Sequence, residues 1–84
     1  MNATQIYNSP GHRDIAAETP TQAAETFALR KARRFYGKTA RVGALRVDGY
    51  TRDGRVHIFQ AFVGYPVERG GTCGHNVTFN VYRV

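Results

Sequence analysis

Arg30, Lys31, Arg33 and Arg34 place four cations within five residues, and Lys38 and Arg41 follow closely. Arg30, Arg33 and Arg34 stand three and four apart, so a helix carries them on one side. No carboxylate lies four residues from Arg33 or Arg34 in either direction. Their mutual repulsion is a cost that a partner's negative charge relieves. Guanidinium is a planar fork that grips phosphate or carboxylate through two parallel bonds. Arg30, Arg33, Arg34, Lys38 and Arg41 are therefore the expected partner-binding patch, set against the plainer reading of a solvated charged face.

Other chemistries find less material. Cys73 and His75 make one loose pair, whereas structural zinc wants four ligands arriving as two tight pairs, so no metal site or other cofactor is expected. A thiol nucleophile needs a histidine beside it held by a third group, and Cys73 with His75 on one turn point poorly at each other. A small basic ribonuclease would use one or two of His12, His57 and His75 as general acid or base, with arginines on the scissile phosphate. No tight cluster of His, Arg and carboxylate is legible for it, and no glycine-rich nucleotide loop is present. The expectation is a binder with no catalytic residue. Cys73 cannot close an internal disulfide, being the single cysteine. Its neighbours Gly70, Gly71, Thr72 and Gly74 favour an exposed turn, which leaves the thiol free or open to an intermolecular disulfide between two copies.

The elements that must position the patch follow from punctuation and periodicity. Thr4-Gln5-Ile6-Tyr7 reads as a short strand, stopped by the turn signal Asn8-Ser9-Pro10-Gly11. Residues 12–18 are ambiguous and could run extended around Ile15. Thr19-Pro20-Thr21-Gln22 opens a helix, with Thr19 as N-cap, Pro20 first in the helix and Gln22 completing a capping box. The helix runs to Tyr36 and stops at Gly37. Ala24, Phe27, Ala28 and Phe35 share one face, with Lys31 near its middle and snorkelling to the rim. Arg41 to Tyr50 and Arg55 to Val63 form a hairpin through Thr51-Arg52-Asp53-Gly54. Gly64 to Gly74, with Pro66 and a Gly-Gly pair, reads as a longer loop. His75 to Val84 is the clearest strand, with Val77, Phe79 and Val81 alternating with Thr78, Asn80 and Tyr82. The expected fold is α+β, strand-helix-strand-strand-strand, with one amphipathic helix on a small antiparallel sheet.

Length allows one domain over residues 1–84, with a small core and little room for a deep cleft. No basic-then-apolar start suggests a signal peptide, and no apolar run is long enough to span a bilayer, so a cytoplasmic protein is expected. The net charge of +6 comes from twelve basic and six acidic residues, and ten of the twelve are arginine. It is concentrated: Arg30 to Arg55 holds nine basic and two acidic residues, whereas residues 1–29 lean negative. Such a domain attracts nucleic acid, anionic membrane or acidic protein. Ala61-Phe62-Val63-Gly64-Tyr65 echoes the tail of the RNA-stacking strand of RRM domains, but the basic-glycine front of that motif and the second helix are missing. A sheet with one helix also leaves a face where valine, phenylalanine and tyrosine side chains could meet a second copy, so a homodimer is open.

The short strand at Ile6-Tyr7, the alanine-rich helix from Thr19 to Gly37, the strand Phe59-Gln60-Ala61-Phe62, the glycine-bearing loop and the terminal Val77-Thr78-Phe79-Asn80-Val81-Tyr82 together give a resemblance. The chain resembles small phage-encoded anti-CRISPR proteins that inhibit type I CRISPR systems, over about its last three-quarters. The resemblance implies a stoichiometric blocker in the bacterial host cytoplasm that docks on the Cascade surveillance complex and stops it from engaging target DNA. Many such proteins are acidic and imitate DNA. This chain is basic, so the expected contacts are acidic protein surface, guide RNA phosphates or target DNA phosphates. Two other readings stand beside it: a nucleic-acid-binding module that needs no protein partner, and a ribonuclease toxin.

Overall fold

The strand with the strongest alternation is the middle of the sheet. The computed structural model describes residues 3–84, and in it β5 (Thr72–Arg83) pairs along its length with β4 (Val56–Pro66). β3 (Arg41–Tyr50) lies on the far side of β4, while β1 (Gln5–Asn8) joins β5 through Tyr7 and Asn8. β2 (Ile15–Ala17) flanks β1, giving an antiparallel sheet in the order β2-β1-β5-β4-β3. Between β2 and β3 run α1 (Pro20–Tyr36) and a 3-10 turn, Gly37–Thr39. This is the expected α+β arrangement with one strand more: the ambiguous segment around Ile15 is β2. Three residues are too few for alternation to declare themselves; their pairing with Gln5–Tyr7 makes the strand.

The helix starts and stops where its end residues require. The Thr19 hydroxyl accepts from the Gln22 backbone N–H at 3.2 Å, Pro20 sits in the first turn, and Gly37 closes the helix at φ 81° with its N–H on the Arg33 carbonyl. The capping box is modified: the Gln22 side chain accepts from the backbone N–H of Glu18, one residue before the cap, at 2.9 Å. Ala23, Ala24, Phe27, Ala28 and Ala32 are fully buried. Four alanines let the helix lie close to the sheet, while Phe27 fills the space between. Facing it are Phe59, Ala61 and Val63 from β4 and Phe79 and Val81 from β5, with Tyr7 from β1. Phe59 and Phe79 stack across the strands at 6.1 Å.

Two expectations change. Phe35 is in phase with the buried stripe yet is 58% exposed. The space under the last helical turn is taken by Ala32, Ala40 and Val63, so the ring lies outward over His75. The loop expected from Gly64 to Gly74 shrinks to Val67–Gly71, because Gly64 and Gly74 are paired strand residues. A Cβ on Gly74 would stand 2.0 Å from the Val63 carbonyl oxygen, and one on Gly64 2.3 Å from that of Cys73. These glycines allow two strands to cross closely; the turn is made by Gly70 and Gly71, both at positive φ. Cys73 therefore lies on β5 opposite Tyr65, not on a turn, and its thiol is exposed. Among the described residues no helix is long and apolar enough to cross a membrane.

Candidate functional site

A chain reversal against the helix builds the cationic cleft. The turn after β1, closed by the His12 N–H on the Ser9 carbonyl at 3.0 Å, throws Gly11, His12 and Arg13 back against the flank of α1. There they meet Arg30 and Arg34, one helical turn apart, and the five residues line a cleft of about 370 Å³. Arg30 donates to the Arg13 carbonyl and Arg34 to the Gly11 carbonyl, each at 3.4 Å. The Arg30 guanidinium also lies 5.9 Å from the Phe27 ring centre. Backbone oxygens, not carboxylates, thus hold both forks in place, and each keeps its charge and further N–H groups for an outside anion. Neighbouring Asp14 is engaged by the Asn8 amide.

His12 is the titratable member of the cleft. Its ring packs on Phe27 at 5.3 Å, and its Nε2 is buried without a hydrogen-bond partner. Burial, then the charges of Lys31, Arg34 and Arg30, lower its pKa below the ordinary imidazole value. Lys31 lies half-buried, as snorkelling required, with its ammonium 5.8 Å from the Phe79 ring centre. Its pKa is lowered by burial and then by Arg34.

Of the five expected patch residues, the fold brings Arg30 and Arg34 together. Arg33 is exposed on the last turn of the helix, away from the cleft lining; Lys38 lies in the 3-10 turn and Arg41 opens β3, both exposed. Arg13 is the cleft member that sequence reasoning misses, and His12, a candidate acid or base from sequence, is not placed beside the arginines by it. In sequence Arg13 lies within the negative-leaning stretch of residues 1–29. The signal that could have found it is the Pro10-Gly11 turn, which returns the chain toward whatever follows. His57 and His75 lie elsewhere, on β4 and β5, so the three histidines do not form one acid-base cluster. Among the described residues no group of three His, Cys, Asp or Glu side chains could hold a metal ion.

The second sheet face holds Ile58, Gln60 and Phe62 from β4, partly buried, beside exposed Asn76, Thr78 and Asn80 from β5. Arg46 reaches Gln60 on the same face. This surface is more polar than an apolar dimer contact would ask, because β5 presents its valine and phenylalanine side chains to the helix and its amides and hydroxyl outward. The chain matches no protein-family model, no curated protein and no solved structure.

Proposed function

We propose that this chain is a non-catalytic, stoichiometric binder that presents Arg13, Arg30 and Arg34 to the phosphates of a nucleic-acid assembly. Following its resemblance, we take that assembly to be a type I Cascade complex in the bacterial cytoplasm, whose capture of target DNA the bound chain blocks. The observation that supports this reading is the cleft itself. Arginines from two distant segments converge there, and the Arg30 and Arg34 forks are oriented by carbonyls and not by acids. Converging unpaired arginines recognise phosphate through charge and paired hydrogen bonds. Arg33, Lys38 and Arg41 extend the positive surface toward the end of the helix.

The purified chain is added to a type I Cascade with labelled target duplex, and capture is followed by electrophoretic shift. Capture is expected to fall in proportion to the chain added and to return with the Arg30→Glu/Arg34→Glu variant. Undiminished capture at molar excess would sink the Cascade assignment. Binding of naked DNA or RNA without Cascade would favour the independent nucleic-acid module, because the same cleft suits either phosphate source. The ribonuclease reading gains His12 beside three arginines, but the buried Nε2 is withdrawn from a substrate and no second acid or base joins it in the cleft lining. RNA cleavage abolished by His12→Ala would revive it.

A further inference from the structure

At the end of the helix remote from its cap, four rings form one continuous group. Phe35 meets His75 in an edge-to-face contact at 5.0 Å, Tyr36 lies 5.6 Å from His75, and Tyr36 lies 5.4 Å from Tyr65. The Tyr36 hydroxyl and His75 Nδ1 share a hydrogen bond, which fixes the central pair. Phe35 is 58% exposed and Tyr65 38% exposed, so the group is ordered by its own contacts and still open to solvent. Its setting is cationic. Arg33 precedes Phe35 on the last turn and Lys38 follows Tyr36 in the 3-10 turn, whereas Arg41, paired with Gly64, lies on the other sheet face from Tyr65. Glu68 and Arg69 are adjacent in sequence at the hairpin tip and sum to no net charge.

We propose that Phe35, Tyr36, Tyr65 and His75 are a stacking platform for the unpaired bases of a single-stranded nucleic acid, with Arg33 and Lys38 on its phosphates. The proposal rests on the phosphate-binding reading above for the class of partner, but uses no residue of the arginine cleft. Flat rings exposed amid cations suit a polyanion whose pendant groups have π faces, and a base offers such a face only when it is unpaired. A second copy of this chain would set positive surface against positive surface. An acidic protein would satisfy the cations but bring no flat groups of its own to every ring.

The test is fluorescence anisotropy with an oligothymidine of about 12 nucleotides and a duplex of the same length. Wild type is expected to prefer the single strand. Phe35→Leu is expected to weaken single-strand binding about tenfold and leave duplex binding and the salt slope unchanged, because stacking releases no counterion. Tyrosine emission is expected to be quenched by the single strand as bases cover Tyr36 and Tyr65, a readout in unmodified protein that decides the matter if Phe35→Leu misfolds. Retention of single-strand affinity within about twofold by folded Phe35→Leu, absence of quenching, or equal affinity for both nucleic acids would overturn the platform. Loss of binding in Arg30→Glu/Arg34→Glu but not in Phe35→Leu would leave the cleft standing while the platform falls.

Discussion

His12 is packed on Phe27 among Arg30, Lys31 and Arg34, and its proton is disfavoured by burial first and by those charges second. With the folded pKa below the unfolded value near 6.5, the unfolded chain binds more protons as pH falls through 6.5. The stabilising contribution of neutral His12 is thus fully present above 6.5 and is lost as pH falls toward the lowered folded value. Thermal melts from neutral to mildly acidic pH are expected to show a decline that His12→Gln reduces. An identical pH dependence in both proteins would place the acid sensitivity elsewhere. If the proposed cleft takes a phosphate, that negative charge is expected to offset the cations around His12 and raise its pKa, so that binding takes up protons and tightens as pH falls across the same window. Comparing affinity at neutral and mildly acidic pH for wild type and His12→Gln checks this. At this scale the sequence identified Arg30 and Arg34 by their spacing. It did not place His12 or Arg13 beside them, because a cleft between distant segments has no spacing to read.

The elements rest on local chemistry and close packing in different proportions. Thr19→Ala removes the hydroxyl acceptor at the helix start and is expected to cost about 1 kcal/mol, measured by denaturant unfolding. The cap was legible because it needs only neighbours in sequence. Gly74→Ala tests packing. Its Cβ would meet the Val63 carbonyl at 2.0 Å, and a backbone atom cannot swing aside as a side-chain tip can. The expected result is a loss larger than that of Thr19→Ala, with amide exchange rising first around residues 63–66 and 72–75 of β4 and β5. A neutral Gly74→Ala would mean that the two strands separate there readily. Gly64 and Gly74 look like loop residues in sequence because glycine marks turns and close strand approaches alike. Only their face-to-face pairing separates the two meanings. Phe35 shares the apolar face by phase alone, and phase does not say where the sheet beneath is already filled.

The whole molecule is drawn out, with a radius of gyration of 13.3 Å against about 12 Å for a compact chain of this length. Exposed residues at the far end of the β4–β5 hairpin match this elongation, and Cys73 lies there. A disulfide between two copies is therefore sterically open. Cys73→Ser is expected to remove any reductant-sensitive dimer on sizing chromatography while leaving partner binding intact; lost binding would make the thiol part of the interface. The net charge of +6 acts at this scale too. Plotting log affinity against log salt for a duplex is expected to give a slope that flattens by about two phosphate contacts when Arg30 and Arg34 become glutamine, and an unchanged slope would remove them from the phosphate contacts. By itself the sequence determined the fold class, the helix with both its ends, the polar-apolar alternation of β5 and the basic character of the surface. Each of these depends on residues within a few positions of one another or on composition alone. The tertiary structure decided which cations share a cleft, that β2 exists, where Cys73 lies, and that Phe35, Tyr36, Tyr65 and His75 form one aromatic group. Each of those joins residues from separate elements, and their proximity follows from how the helix and strands pack, which no local pattern encodes.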